Sequence, residues 1–273
     1  MTLLPPPGPR ALLPLGVTLA GALLACQPET AGEEPPSATM ADPPAPEAMA
    51  ETPTAVKIVE KDNLVDFSWS WPAEAAAVPA IDARFRKEAQ EALADLRGMA
   101  EEGAAMRAEQ KIAFNGYEGS KAWETEGDTH RLLSLSAKWG SYTGGAHPNH
   151  GTDALLWDRE DEAQIDLATL FGDKEERDAA LREAFCTDLA AQQLERRGEV
   201  ISGMFSECPA LGEITIIPVD RDGNGRFERF ALTADPYVAG PYAEGYYEVE
   251  LPIGPMLLDA LDARYAGDFE TAS

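Results

Sequence analysis

Two separated segments alternate apolar and polar side chains with a period of two, which is the pattern of a β-strand buried on one face. From Val65 to Trp71 every second residue is apolar, and Pro72 ends the run because proline has no amide proton for a sheet. The residues from Leu133 to Trp139 alternate in the same way. Each such strand needs a helix or a second sheet over its apolar face, so the sequence predicts a layered fold.

Turn signals divide the remaining β-structure into hairpins. The strand at 133–139 leads through Gly144 and Gly145 into an apolar run, which predicts a hairpin with a long loop. A second hairpin is predicted across the Asp-Gly-Asn-Gly turn at 222–225. The further predicted strands are 154–157, 214–219, 227–232 and 245–251.

Three segments have helical periodicity, with apolar residues three and four positions apart. The first begins at Pro79 and ends near Gly98. The second runs from about Lys174 to Arg197, where a glycine follows, and a short last helix is predicted at 256–265. We therefore predict an α+β fold with helices packed on antiparallel sheet, as one module or as two subdomains.

The N-terminal residues have the features of an export signal. Residues 11–25 carry no charge, follow Arg10 and precede Cys26, and the run is too short for a permanent membrane-spanning helix. We therefore predict that residues 1–25 are a cleaved signal peptide. The Leu-Leu-Ala-Cys that ends at Cys26 resembles a bacterial lipobox, which implies acylation of that cysteine; the alternative is an ordinary signal peptide. Gln27 rather than an aspartate follows the cysteine, which resembles the pattern of lipoproteins sent onward to the outer membrane. We therefore expect a lipid anchor on the periplasmic side of the outer membrane.

A segment of low complexity follows the cysteine. Residues 27–54 contain seven prolines and six acidic residues but no lysine, arginine or aromatic residue. Such a segment cannot bury enough apolar surface to offset the entropy lost on ordering. We therefore predict a disordered tether over residues 26–54 and an α+β domain over residues 55–273.

The chain is strongly acidic, with 48 acidic and 22 basic side chains and a formal charge of -26. The first 54 residues hold one base and six acids, which leaves 21 bases and 42 acids, a charge of -21, on residues 55–273. Binding to phosphate groups requires clusters of lysine and arginine. We therefore expect no nucleic-acid partner, and contact with a membrane only through the lipid anchor.

Cys186 and Cys208 form an even pair once Cys26 is assigned to lipid. Disulfides persist in the oxidising compartment that the export signal implies, so we predict that the two cysteines are bonded to each other. Two buried free thiols are the alternative. A Cys-x-x-Cys motif, which would indicate redox catalysis, is absent from the sequence.

Three segments, in this order, resemble one family of bacterial extracytoplasmic domains. Residues 142–149 read Tyr-Thr-Gly-Gly-Ala-His-Pro-Asn, residues 165–171 read Ile-Asp-Leu-Ala-Thr-Leu-Phe, and residues 236–245 read Pro-Tyr-Val-Ala-Gly-Pro-Tyr-Ala-Glu-Gly. They are similar to the paired domains of unknown function in the exported part of RsiV-type anti-sigma factors and beside the catalytic domain of PdaC-type peptidoglycan deacetylases. The resemblance covers residues 56–265 and implies an α+β fold without an established chemistry.

The roles of these relatives imply a binding or sensing module. We expect no anti-sigma activity, because only ten residues precede the apolar run, and no deacetylase activity, because a Thr-Phe-Asp-Asp-Gly stretch is missing. In the anti-sigma relatives the domain is a receptor for lysozyme, so the resemblance implies a cationic envelope protein such as lysozyme, or peptidoglycan, as partner. The negative charge is compatible with a cationic partner. We expect a monomer.

We call the segment at residues 142–149 the histidine loop. It supplies the candidate ligand-binding residues Tyr142, His147 and Asn149, which we expect to line a groove. A structural interpretation is that the glycine pair permits a tight connection and that His147 holds it by a hydrogen bond to the backbone. A third interpretation is a zinc site, because His147, His150 and Asp153 have a His-x-x-His-x-x-Asp spacing.

Asp220, Asp222 and Asn224 reproduce the first ligands of a calcium loop. The twelfth position from Asp220 is Ala231, so the bidentate glutamate of an EF-hand is missing, and Glu228 at the ninth position is the candidate substitute. The alternative is a hairpin turn whose aspartates and glycines serve turn geometry. Apart from calcium here and zinc in the third interpretation of residues 147–153, the sequence suggests no cofactor.

The motifs of the common hydrolases and nucleotide-binding enzymes are absent from the sequence, including Gly-x-Ser-x-Gly, Ser-x-x-Lys and Gly-x-x-x-x-Gly-Lys. We therefore predict a binding module without catalytic activity. The alternative is a hydrolase of the cell wall that uses a pair of the 42 domain carboxylates, although the sequence singles out no pair.

Overall fold

The structure is a computed structural model and describes residues 52–200 and 202–272. The predicted signal peptide, Cys26 and the tether as far as residue 51 lie outside the described residues. Within the described part of the chain, no helix is both long enough and apolar enough to cross a membrane. Both sheets described below belong to one compact unit, Ala50–Ser273.

The larger sheet has six strands that lie side by side in sequence order. They are β1 (Val56–Lys61), β2 (Val65–Trp71), β3 (Tyr117–Asp128), β4 (Leu132–Tyr142), β5 (Asn149–Asp158) and β6 (Ala163–Ile165). All neighbours are antiparallel except β2 and β3, which are parallel. The α+β class is confirmed, but the sheet is mixed rather than antiparallel because helices carry the chain from the end of β2 back to the start of β3.

Two helices make this crossover, α1 (Ala73–Ala76) and α2 (Pro79–Glu109). Proline at the first position of α2 suits a helix start, as predicted. The predicted end near Gly98 is wrong, since α2 continues for another eleven residues to Glu109. A single glycine costs about 1 kcal/mol relative to alanine, and the helix-forming residues around it and the burial of Leu96 and Ala100 against the sheet offset that cost.

The smaller sheet has three antiparallel strands covered on one face by a long helix. Its elements are α3 (Lys174–Arg197), β7 (Thr215–Val219), β8 (Arg229–Ala234), β9 (Tyr247–Pro252) and, after the sheet, α4 (Pro255–Asp259). The predicted bounds of α3 and both predicted hairpins are confirmed. The last helix is shorter than predicted.

A disulfide joins Cys186 of α3 to Cys208, with the two Cα atoms 5.6 Å apart. The predicted pairing is therefore confirmed, and the alternative of two free thiols is wrong. The bond closes a loop of 22 residues after α3. This loop leads into β7 and fixes the connection between helix and sheet.

Buried polar groups connect the larger sheet to the C-terminal residues. Asp158 is fully buried and accepts hydrogen bonds from the Arg131 guanidinium at 2.8 and 3.0 Å and from the Tyr265 hydroxyl at 3.1 Å. Burial alone would raise the pKa of Asp158, but the hydrogen bonds from Arg131 and from two backbone amides outweigh it and hold the pKa below its ordinary value. Asp268 likewise accepts a hydrogen bond from the Thr129 hydroxyl at 2.6 Å.

Candidate functional site

The loop between β4 and β5 meets the segment that precedes β9, and a histidine of the first stacks on a tyrosine of the second. The rings of His147 and Tyr242 are nearly parallel, with centroids 3.7 Å apart and planes 20° apart. Gly144 and Gly145 have φ values of +89° and +119°, which explains why the loop needs glycine at both positions. The two sequence motifs therefore form one surface.

Hydrogen bonds at both ring nitrogens hold the imidazole of His147 in place. Its Nδ1 lies 2.9 Å from the carbonyl oxygen of Pro148, and since a carbonyl only accepts, Nδ1 carries the proton. Nε2 is then free to accept a hydrogen bond from the Tyr237 hydroxyl, 3.3 Å away. The hydrogen bond to the backbone is the one expected from the structural interpretation of the sequence, and it also presents the ring to Tyr242.

His150 extends the cluster towards β9. Its Nδ1 lies 2.6 Å from the Tyr246 hydroxyl, and its ring centroid lies 5.2 Å from that of Tyr242. Burial, with a smaller contribution from the negative charge of Asp235, raises the pKa of Tyr246 to about 12. The phenol therefore stays protonated at physiological pH. We call the surface formed by His147, His150, Tyr237, Tyr242 and Tyr246 the aromatic platform.

A polar trough adjoins the platform on the outer face of the larger sheet, opposite α2. Its cavity volume is about 360 Å³. Tyr142, Asn149 and His150 line the end nearest the loop, and Asp66 and Glu118 lie on the strands beyond. Tyr142 also donates a hydrogen bond to the Gly145 carbonyl at 3.1 Å. The structure thus places the predicted Tyr142 and Asn149 at the trough and the predicted His147 on the platform.

The turn that carries Tyr242 is attached to α3 by a charged group. Arg197 donates two hydrogen bonds to Glu244, at 2.9 and 2.8 Å, and the Tyr247 hydroxyl donates a third. The hydrogen bonds from Arg197 lower the pKa of Glu244, so this carboxylate stays ionised. A Cβ atom on Gly240 would lie 2.2 Å from Oε2 of Glu244, which explains why glycine precedes the turn.

Arg196, the neighbouring residue in α3, holds the backbone of the same turn. Its guanidinium donates to the carbonyl oxygens of Glu244 and Tyr246, both at 2.7 Å, and its Cζ lies 4.0 Å from the ring centroid of Tyr247. Two consecutive arginines of α3 therefore position the platform tyrosines. The site is thus attached to the helix that carries the disulfide.

Residues 58–150 match the family model described as "Deacetylase PdaC". The chain carries a PdaC-like segment. It extends from β1 to the start of β5 and so contains the histidine loop. The predicted resemblance is confirmed.

Two solved structures of the DUF3298 family resemble the whole domain that contains the PdaC-like segment. A member from Bacteroides fragilis NCTC 9343 is 17% identical with a TM-score of 0.50, over 80% of this chain and 98% of its own. A DUF3298 protein from Pseudomonas aeruginosa PAO1 is 16% identical with a TM-score of 0.46, over 77% of this chain and 95% of its own. The first similarity shows the fold alone. No curated protein matches the chain.

Sequence reasoning did not assign Tyr237, Tyr242 or Tyr246 to the site. The first two lie in the closing motif at 236–245, so the motif itself was the available signal. What the sequence could not show is that this motif folds back onto the histidine loop at the end of the PdaC-like segment.

The zinc interpretation of the histidine loop is wrong for a geometric reason. His150 and Asp153 are three positions apart on β5, and residues at odd spacing on a strand point to opposite faces. Asp153 accordingly pairs with Lys121 at 2.5 Å on the face that α2 covers, whereas His150 contacts Tyr246. Among the described residues, the only acidic, histidine or cysteine side chains close enough to share a metal are elsewhere.

Those side chains are Asp220, Asp222 and Glu228, whose ligand oxygens all lie within 4.8 Å of one another. Asp220 also accepts backbone hydrogen bonds from Gly223 at 2.7 Å and from Gly225 at 2.8 Å, so it shapes the turn as well. The structure brings together three of the four predicted calcium ligands.

Asn224, the fourth predicted ligand, lies beside them with its amide nitrogen donating to Asp222 at 3.2 Å and to Glu270 at 2.7 Å. Glu228 accepts from the backbone amide of Arg221 with both oxygens at 3.2 Å. These contacts fit the turn-geometry interpretation, and they use part of the hydrogen-bonding capacity that a cation would need.

Proposed function

We propose that the chain is a non-catalytic binding module of the cell envelope that holds a cationic protein, of the lysozyme kind, on the aromatic platform. The observation that carries the proposal is the stacking of His147 on Tyr242, which joins two family motifs into one surface. The backbone of Pro148 holds the histidine ring, and the arginines of α3 hold the turn that carries the tyrosine. The stacked pair is therefore preorganised, so little conformational entropy is lost when a partner binds.

The chemistry of the platform favours a protein partner. Tyrosine rings are enriched at the energetic centres of protein interfaces because they bury a large apolar area and keep a polar tip. Tyr237 is 54% exposed and Tyr242 and Tyr246 are partly exposed, so the rings offer area that a partner could cover. Ring faces also attract cations, which suits lysine and arginine side chains.

Charge favours a basic partner over an acidic one. Residues 55–273 carry a formal charge of -21, and the trough beside the platform contains the carboxylates of Asp66 and Glu118. Complementary charge raises the rate of encounter and suppresses binding of acidic proteins. Because charge alone attracts any basic protein, specificity in this proposal comes from the platform.

The proposal places the domain at the membrane surface. Acylation of Cys26 would anchor the chain, the tether over 26–54 would separate the domain from the bilayer, and the periplasmic side of the outer membrane is the proposed location. The module would act as a monomer and contact the membrane only through its lipid.

Catalysis is the competing function, because the family model that matches residues 58–150 is described as a deacetylase and because a carboxylate pair could hydrolyse a glycan. We favour binding because His147 and His150 contact tyrosines or the backbone and do not converge with carboxylates on a metal site. Release of soluble fragments or of acetate from peptidoglycan by the purified chain would contradict this choice.

The binding function is tested by calorimetric titration of the Ala50–Ser273 unit with lysozyme, with cytochrome c as a control of comparable positive charge. We expect saturable binding of lysozyme that survives raised salt, and weaker binding of cytochrome c that salt removes. Equal binding of the two proteins, or no binding, would overturn the proposal.

We also propose calcium as a ligand of the loop from Asp220 to Glu228, because three carboxylates converge there. Calcium that binds only the folded state raises the melting temperature. We expect calcium chloride, but not magnesium chloride at the same concentration, to raise it, and Glu228→Gln to remove the effect. An equal rise with both ions would contradict a calcium site.

A further inference from the structure

A second cavity lies between the two sheets, on the outer face of β3 and β4 but further along these strands than the trough. Its volume is about 320 Å³. The wall from the larger sheet includes Glu124, Ser136 and Lys138, and the wall from the smaller sheet includes Thr233 and Glu248. We call this cavity the inter-sheet cleft.

The two sheets are in close contact along β7. β7 lies against β3, β4 and β5, and the Ser134 hydroxyl donates to the Pro218 carbonyl at 2.6 Å while the hydroxyls of Thr152 and Thr215 are 2.8 Å apart. At β9 the two sheets instead meet through long charged side chains. The gap therefore opens towards β9.

The lining of the cleft is unlike a packing surface. Sheets that pack face to face bury apolar side chains between them. Here β9 alternates buried and exposed residues, and its exposed Glu248 and Glu250 line the cleft, facing Glu124 and Glu126 of β3. Charged side chains thus take the place of the apolar contacts that two packed sheets would make here.

Ion pairs connect the two walls of the cleft at two points. Lys138 of β4 pairs with Glu248 of β9 at 3.0 Å. Arg221 bridges Glu126 of β3 and Glu250 of β9, with 2.7 Å to each. Between these bridges the cavity is lined by the small side chains of residues 122 and 231, both alanine. The cleft therefore has charged edges and a small apolar floor.

We infer that the inter-sheet cleft binds one unit of a neutral or amine-bearing sugar. A sugar ring carries hydroxyls that both donate and accept. The cleft supplies the carboxylate of Glu124, the hydroxyl of Thr233, and those protons of Lys138 and Arg221 that remain after their ion pairs with Glu248, Glu126 and Glu250. The Ser136 hydroxyl donates to Glu126 at 2.6 Å and is therefore available only as an acceptor. The two oxygens of a carboxylate match two neighbouring sugar hydroxyls, and the alanine floor leaves room for the C–H face of the ring.

Charge and size narrow the class of ligand. Four carboxylates and two cations line the cleft, and Glu124 has no ion-pair or hydrogen-bond partner among the described residues, so an anionic sugar is disfavoured. The volume of about 320 Å³ lies at the small end of the range for ligand sites, which fits a single small ligand. The inference does not depend on the aromatic platform, because the cleft uses none of its residues.

The test is a titration of the full-length purified chain with three hexoses that share a ring and differ in charge: glucosamine, glucose and glucuronate. Methyl resonances of Ala122 and Ala231 report on the floor of the cleft. We expect saturable shifts of these resonances with glucosamine and glucose, and binding of glucuronate at least about tenfold weaker. Absence of saturable shifts with the first two sugars, or binding of glucuronate with equal affinity, overturns the inference.

Variants then locate the binding. Ala231→Leu fills the cleft and should abolish the shifts, and Glu248→Gln, an exposed position that does not threaten folding, should weaken binding by about tenfold. Glu118→Gln is the matched control, because it lies on the same face of β3 but outside the cleft. Unchanged sugar affinity in Glu248→Gln overturns the assignment.

The lysozyme titration separates this inference from the proposed function. Tyr242→Ala should reduce lysozyme binding and leave the sugar affinity unchanged. If the chain binds lysozyme but no sugar, only the proposed sugar site in the cleft is wrong. If it binds sugar but no lysozyme, only the proposed binding of lysozyme on the aromatic platform is wrong.

Discussion

The imidazole of His147 stacks on the phenol ring of Tyr242 with their centroids 3.7 Å apart. The two residues come from different motifs: His147 lies in the loop between β4 and β5 of the larger sheet, and Tyr242 lies in the turn before β9 of the smaller sheet. Their contact therefore depends on the correct packing of the whole domain. Arg197 of α3 fixes the turn on the tyrosine side through Glu244, and the Pro148 carbonyl fixes the ring on the histidine side. The site is therefore a product of the fold rather than of a single loop.

The stacked pair should be measurable as a coupling energy. Aromatic pairs contribute about 0.5–1.5 kcal/mol beyond the area they bury. In a double-mutant cycle of His147→Ala and Tyr242→Ala, we expect a coupling in that range for the free energy of unfolding, measured with urea. Purely additive effects of the two substitutions would contradict a stable stack in solution.

The Glu244 carboxylate should be required for the platform to keep its position. Its side chain is 18% exposed and pairs with Arg197, which is 9% exposed. Removing one partner of such a pair leaves the other charge poorly solvated, so Glu244→Gln should lower the free energy of unfolding by about 2 kcal/mol or more. Chemical denaturation measures this loss.

Glu88→Gln is the matched control for that substitution, because Glu88 forms an exposed pair with Arg84 one helical turn away. Pairs of this kind contribute about 0.3–0.5 kcal/mol. If the two variants lose equal stability, Glu244 has no special structural role.

The disulfide between Cys186 and Cys208 should stabilise the domain by restricting the unfolded chain. A loop of 22 residues corresponds to about 3 kcal/mol in the chain-entropy model. We expect Cys186→Ala with Cys208→Ala to lower the free energy of unfolding by about that amount. If reduction with dithiothreitol leaves the urea midpoint of the wild type unchanged, the bond does not contribute.

The buried Asp158 should make the domain sensitive to acid. Its folded-state pKa lies below the ordinary value, so its ionised form contributes stability above the unfolded pKa of about 3.9. That contribution is lost as the pH falls through the lower, folded-state pKa. We expect Asp158→Asn to lower the free energy of unfolding by about 3 kcal/mol at neutral pH, because Arg131 loses its fully buried partner and keeps only the more exposed Glu160 and Asp161.

The measurement is denaturation of wild type and Asp158→Asn between neutral pH and the acid range. The difference between them should shrink as the wild type is acidified. A constant difference across the whole range would show that the charge of Asp158 is not what stabilises the fold.

The elements predicted from the sequence were those with a clear period. Strand β2 and the stripe of α3 bury one face and expose the other, so both were found with their bounds. Strand β3 was missed because its outer face carries charged and small residues and only two of its twelve residues are buried. The alternation that reveals a strand is weak where one face lines a polar cavity.

The candidate site was only half predictable for a related reason. A loop with two glycines and a histidine is visible in sequence, and His147 was assigned from it. The tyrosines on the other side of the stack were not assigned, because contacts across sheets depend on how β9 and α3 pack. The zinc interpretation failed because it used the sequence spacing of His150 and Asp153 and did not take into account that side chains on β5 alternate between the two faces of the sheet.

The most direct test of the account is titration of lysozyme into three variants of the Ala50–Ser273 unit: Tyr242→Ala, His147→Ala and His130→Ala. His130 is the matched control, because it is exposed in the turn at the other end of β4. The account predicts that both platform substitutions weaken binding by at least about tenfold while His130→Ala binds as the wild type does. Equal affinity of all three variants for lysozyme would contradict it.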